Sequence, residues 1–154
     1  MTNRGTTAAP RPSRPDRHPL SPVSTLVERP RLIRRLEEAA TPVVLLNAPS
    51  GYGKSVLLGQ WAERDSRRFE SVILGDAHND PVVLVTSIVE ALERIEPVPA
   101  DVSAALAGSD PNIEDVVLPR MGRALAERKV PFVLILDDLE QIESPQSLLV
   151  VATI

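Results

Sequence analysis

Pro42-Val43-Val44-Leu45-Leu46-Asn47-Ala48-Pro49-Ser50-Gly51-Tyr52-Gly53-Lys54-Ser55, followed by Val56-Leu57-Leu58-Gly59-Gln60-Trp61-Ala62, is the stretch on which the fold turns. An aliphatic run, a glycine-containing loop, Gly-Lys-Ser and a helix-forming segment follow in the order of strand, phosphate-binding loop and helix. Each residue type has a physical reason to be there. Gly51 and Gly53 let backbone N–H groups turn inward around phosphate oxygens with no Cβ in the way. A helix starting at about Gly53 aims its unpaired N–H groups and positive dipole end at the same anion. Lys54 is long enough to reach β- and γ-phosphates, and the Ser55 hydroxyl can ligate Mg2+. With Ser50, Tyr52 and Val56, the expected nucleotide contacts run from residue 50 to residue 56. The strict pattern has glycine at position 48, where this chain has alanine.

A second motif completes the first. Phe132-Val133-Leu134-Ile135-Leu136 is an apolar strand that ends in Asp137-Asp138. In a P-loop nucleotide triphosphatase the phosphate loop (Walker A) is paired with such an acidic strand end (Walker B). Asp137 is placed to serve the metal opposite Ser55, and Asp138 to act as base or orienter for an attacking water. Both motifs fall at strand carboxyl ends, where open α/β sheets bind ligands. ATP and Mg2+ are the cofactors this pairing implies.

The bulk composition agrees with a single domain. The chain has 154 residues, 43% apolar and 25% charged, with only 3% aromatic, so its core is built from aliphatic side chains. That suits a parallel sheet of buried aliphatic strands. There is no cysteine, hence no disulfide or thiolate metal site, which is compatible with a cytoplasmic protein. No apolar run is long enough to span a membrane. The net charge of −4 argues against direct DNA contact by the chain as a whole. Residues 1–22 are different: Arg4, Arg11, Arg14 and Arg17 alternate with Pro10, Pro12, Pro15, Pro19 and Pro22. Such a stretch cannot bury enough apolar surface to offset its ordering entropy, so it is expected to be a disordered tail ahead of a domain at 23–154.

The periodicities in that domain predict alternating strands and helices. A helix begins at Pro30, with Leu32, Ile33 and Leu36 at helical spacing. Strands are expected at 43–47, 69–74 and 132–136. Asp80-Pro81, Asp110-Pro111 and Ser144-Pro145 read as cap-and-proline helix starts. The helix after Pro81 carries Val85, Ile88, Val89, Leu92 and Ile95 on one face. A short helix is expected around residues 101–107. Trp61 reads as a core or edge contact, and Asp76, His78 and Asp80 as capping and solvated groups. The expected fold class is α/β: a three-layer P-loop NTPase with a parallel sheet, incomplete at the C-terminus.

Over residues 25–154 the chain resembles the ATPase module of the large ATP-binding LuxR-type transcriptional regulators. These are signal-transduction ATPases with numerous domains (STAND), relatives of the AAA ATPases. The resemblance rests on Arg29-Pro30-Arg31-Leu32 with Leu36, on Ala48-Pro49-Ser50-Gly51-Tyr52-Gly53-Lys54-Ser55 with Gln60-Trp61, on Asn79-Asp80-Pro81, and on Leu134-Ile135-Leu136-Asp137-Asp138-Leu139. Alanine at position 48 is usual in that group. The resemblance implies that residues around Arg29 line the adenine side of the pocket. It also implies that ATP binding drives self-association within a larger regulator whose DNA-binding segment lies elsewhere. It further implies a strand between 43–47 and 132–136 that these 154 residues do not supply, leaving an unfilled slot. The chain therefore reads as an N-terminal fragment or the product of a shortened gene, with little or no hydrolysis of its own. Two other readings remain open at this point: a small P-loop nucleotide or metabolite kinase, and a non-catalytic fragment that binds nucleotide poorly.

Overall fold

The computed structural model describes residues 27–39, 41–49 and 51–154; the basic, proline-rich segment and the expected boundary at residue 23 lie outside them. The fold is mixed α/β. In chain order it comprises α1 (Pro30–Glu37), α2 (Lys54–Arg64), β1 (Arg68–Ile73), α3 (Pro81–Ile95), α4 (Ala100–Leu106), α5 (Leu118–Ala126), β2 (Phe132–Asp137) and α6 (Pro145–Thr153). Strands β1 and β2 pair in parallel, from Arg68 opposite Phe132 to Ile73 opposite Asp137. Parallel strands need a crossover, and α3, α4 and α5 provide it.

Helix starts follow local chemistry. The Asp80 carboxylate accepts the Val82 N–H at 2.8 Å, with Pro81 in the first helical position where no N–H is required. Ser144 and Pro145 repeat the arrangement at α6, more loosely, with Ser144 Oγ accepting the Ser147 N–H at 3.4 Å. The stripe Val85, Ile88, Val89, Leu92 and Ile95 on α3 is buried along its whole length.

Strand alternation divides the core in two. Phe132, Leu134 and Leu136 pack with Val72, Ile88, Met121 and Val150, against α3, α5 and α6. Val133, Ile135 and Phe69 pack with Ile33, Leu36, Leu57, Leu58 and Trp61 from α1 and α2. Successive side chains of a strand point to opposite faces, so this two-residue period places helices on both sides of the pair. Trp61 is a core residue: its ring meets Phe69 edge-on at 5.0 Å, and its Nε1–H donates to Asp65 at 3.1 Å.

Two expectations fail. Residues 43–47 are not a strand; among the described residues the sheet consists of β1 and β2 alone. Val43 and Leu45 are 72% and 75% exposed while Leu46 packs against the α1–α2 core, so the run has one covered side and no ladder partner among the described residues. An aliphatic sequence supplies strand propensity, but only a neighbouring strand supplies the hydrogen bonds. The helix expected from Asp110-Pro111 begins instead at Asn112. Its side chain accepts the Asp115 N–H at 3.0 Å, and a π-helical turn over Ile113–Val117 leads into α5. That wider turn leaves Ile113, Val117, Leu118 and Met121 all buried.

Candidate functional site

The loop before α2 has the backbone shape its glycines permit. Gly51 and Gly53 take φ of 82° and 78°, in the left-handed region that other residues avoid. Tyr52 N–H closes a turn on Pro49 C=O at 3.3 Å, and Gly53 C=O accepts Leu57 N–H at 3.0 Å to open α2. The first-turn N–H groups of α2 therefore point out of the helix beside this loop. Ser50 lies outside the described residues. Tyr52 is exposed and Val56 half-buried on the first turn of α2. The Lys54 ammonium folds back over the loop and donates to Ala48 C=O at 2.8 Å.

Apolar packing of Leu57, Leu58 and Trp61 against Ile135 sets the acidic strand end beside that helix. Ser55 Oγ donates to Asp137 Oδ2 at 3.0 Å, across 82 residues of sequence. The other carboxylate oxygen, Oδ1, accepts the Asp138 N–H at 3.0 Å. Asp138 has φ of 59°, a left-handed conformation that Asp tolerates better than most residues, and its side chain is exposed. The sequence-derived residues Ser55, Asp137 and Asp138 thus fall together, with Lys54 adjacent in the chain.

Next to the loop lies a cavity of about 580 Å3, lined among others by Arg29, Leu32, Leu36, Leu46, Tyr52 and Lys54. Its lining combines Leu32 and Leu36 of α1 with the cationic side chains of Arg29, Arg35 and Lys54. The segment leading into α1 is tied to α2. Gln60 accepts the Arg29 N–H and donates to Val27 C=O, each at 3.4 Å, and Arg64 pairs with Glu28 at 3.0 Å. The Arg29 guanidinium comes within 3.7 Å of the position a Cβ on Gly53 would occupy.

This set of residues fits a Mg2+–nucleotide. The donors are a hydroxyl and a carboxylate, the hard oxygens Mg2+ prefers, and their 3.0 Å separation is that of adjacent oxygens ~2.1 Å from one ion. At Gly51 and Gly53 the loop carries no Cβ, as close approach of a phosphate would require.

Two amide side chains were not assigned a role from sequence. Gln60 is one. The other is Asn79, whose Oδ1 accepts the N–H groups of Glu143 and Ser144 at 2.7 and 2.8 Å, and whose Nδ2 donates to Gln141 C=O at 3.0 Å. Their partners are remote in sequence, so no local spacing could have announced them. His78 Nδ1 accepts Gly75 N–H at 3.0 Å, a capping role like that of Asp80.

No family model matches the chain, and no solved structure matches it. Among curated proteins it is similar to serine/threonine-protein kinase PknK of Mycobacterium tuberculosis, 32% identical over 106 residues. The Mycobacterium bovis protein of the same name matches equally. The alignment covers 65% of this chain but 10% of the relative, so the chain spans about a tenth of the length of the curated relatives it matches. Among the described residues no helix is long and apolar enough to cross a membrane.

Proposed function

We propose that this chain binds ATP with Mg2+ and is the nucleotide-switch module of a larger LuxR-type transcriptional regulator, built on a three-layer P-loop NTPase fold. One observation carries the reading: a Gly-Lys-Ser helix start, with left-handed Gly51 and Gly53 in its loop, delivers Ser55 to within 3.0 Å of Asp137 at the end of an apolar parallel strand. Backbone N–H groups of the loop and of the α2 start hold the phosphates. Lys54 leaves Ala48 C=O to pair with β- and γ-oxygens. Ser55 and Asp137 hold Mg2+, which neutralises phosphate charge when bound. The cavity beside Arg29, Leu32 and Leu36 receives the base. Asp138 is the group available to orient a water.

The relative's name does not make this chain a protein kinase domain. Such domains cover phosphates with a Gly-x-Gly-x-x-Gly loop and place the lysine on a separate strand. Here Gly51-Tyr52-Gly53-Lys54-Ser55 puts glycines, lysine and hydroxyl in one loop. Self-association and a cytoplasmic setting belong to the same proposal.

Calorimetry of ATP binding tests it. Lys54→Ala removes charge-assisted phosphate contacts and should weaken ATP by at least about tenfold to a hundredfold. Equal affinity in parent and variant would end the assignment of this loop to phosphate.

A further inference from the structure

We propose that Asn79 is a positioning residue for the Asp137–Asp138 pair, acting through the loop that follows β2. This deepens the nucleotide reading above and rests on it. Asn79 sits at the end of the 3-10 turn Asp76–Asn79 that follows β1. Its side-chain amide uses both ends. Oδ1 accepts Glu143 N–H at 2.7 Å and Ser144 N–H at 2.8 Å, while Nδ2 donates to Gln141 C=O at 3.0 Å and to Asp76 C=O at 3.3 Å. One side chain therefore binds together the loops leaving the two parallel strands, at their carboxyl ends.

The loop that Asn79 grips is the one that shapes the acidic site. Residues Leu139–Gln141 form a 3-10 turn, closed by Gln141 N–H on Asp138 C=O at 3.0 Å. That turn starts from Asp138 in its left-handed conformation, which an L-residue adopts at an energetic cost and holds only when its surroundings fix it. The peptide leading into Asp138 turns its N–H to Asp137 Oδ1, at 3.0 Å, and the left-handed torsions of Asp138 set that peptide's direction relative to the loop that follows. With Oδ1 occupied, Oδ2 is the oxygen left facing Ser55. Gripping residues 141, 143 and 144 thus fixes residue 138, and residue 138 fixes which way the Asp137 carboxylate is turned. Hydrogen bonds to a metal-binding carboxylate orient it, and losing one weakens metal binding; for Asp137 that partner is the Asp138 N–H, which Asn79 reaches only through the loop.

The experiment uses the 154-residue chain, Asn79→Ala, Asn79→Asp and Lys54→Ala. ATP affinity is measured in excess EDTA and across a Mg2+ titration, and amide hydrogen exchange is followed in the metal-free protein. In Asn79→Ala the amides of Asp138, Glu143 and Ser144 should exchange faster, and the Mg2+ half-saturation should rise about 3- to 10-fold, below the loss expected for a direct partner of the carboxylate, while affinity in EDTA stays within about twofold. Asn79→Asp keeps an oxygen for the two N–H groups and should show a smaller rise in the same measurement. If half-saturation is unshifted, or affinity in EDTA falls by the same factor, Asn79 is a structural clamp only and the inference is overturned. Should Asn79→Ala fail to fold, judged by its thermal midpoint, Asn79→Asp decides by the same ratio. A parent that binds ATP, lost in Lys54→Ala, with unshifted Asn79 variants refutes this inference alone. A parent that does not bind ATP refutes the nucleotide reading and this inference with it.

Discussion

Gly53→Ala isolates the backbone geometry of the loop from its side-chain contacts. A Cβ built on Gly53 meets its nearest neighbours, Arg29 Nη2, Val56 Cβ and Arg29 Cζ, at 3.7, 3.9 and 4.0 Å. These are ordinary van der Waals distances, so collision contributes nothing. The conformation does contribute: φ of 78° and ψ of 33° are left-handed, and an L-residue there costs roughly 1–2 kcal/mol. How that cost divides depends on whether the free loop can relax. Gly51 and Tyr52 are exposed, and the turn around them is closed by one 3.3 Å hydrogen bond, so relaxation is easy. The substituted loop should leave the left-handed geometry when empty and have to regain it when phosphate binds. ATP affinity should then fall ~5- to 30-fold, the equivalent of 1–2 kcal/mol, with the urea midpoint hardly moved. Calorimetry with Mg2+ and urea unfolding measure the two shares. A loss beyond ~1,000-fold exceeds any backbone cost and would show a collision that the distances exclude. Unchanged affinity together with unchanged stability would show that phosphate binding does not need this backbone shape.

Asp137→Asn keeps the size of the side chain and removes its charge. It should weaken ATP binding in Mg2+ more than in EDTA, and an equal change in both would detach Asp137 from the metal. At Asp65, hydrogen bonds from the Arg67 guanidinium hold the carboxyl below the usual carboxylate range, with Arg67 N–H and Trp61 helping and burial opposing. A depressed folded value means the stabilisation is present above about pH 4 and disappears as pH falls through that lowered value. Asp65→Asn should flatten the fall in urea midpoint on acidification from about pH 5, and an unaltered slope would refute the pairing. Ile88 is fully buried in the middle of α3, so Ile88→Ala should lose about 2–5 kcal/mol in urea unfolding. A loss below about 1 kcal/mol would mean that α3 is not packed as described.

What the sequence made legible was local. Asp80-Pro81 and Ser144-Pro145 mark helix starts because cap and proline act within one turn. The unbroken apolar run Phe132–Leu136 announced a strand of the kind that packs on both faces, as β2 does. Gly51 and Gly53 announced their left-handed backbone because few other residues adopt it. The failures required knowledge of a neighbour. Residues 43–47 have the composition of a strand, but a strand exists by pairing, and β1 and β2 pair with each other. Asn112 displaced Asp110 as the cap through a contact with Asp115 and a widened turn that serves the core. The amide clamps of Gln60 and Asn79 reach across 31 to 65 residues, so the resemblance marks these positions while nothing in the sequence names their partners.

The two halves of the candidate site are joined by interactions of different character. Leu57, Leu58 and Trp61 of α2 pack around Ile135 of β2, and with 43–47 outside the sheet no ladder ties the phosphate loop to the strands. Apolar packing is non-directional and sets proximity, not the placement of individual oxygens. The Ser55–Asp137 hydrogen bond, at 3.0 Å, supplies the direction that packing lacks. Its length is also the spacing of neighbouring oxygens around Mg2+, about 3.0 Å for bonds of ~2.1 Å. Rotating the Ser55 hydroxyl hydrogen away from Asp137 would therefore convert the pair from hydrogen-bond partners into two adjacent ligands, without displacing α2 relative to β2. The site is preorganised in this sense. On the reading proposed above, affinity for Mg2+ would then depend on how the Asp137 carboxylate is turned and little on moving helices, and that is the route by which Asn79 would act on it.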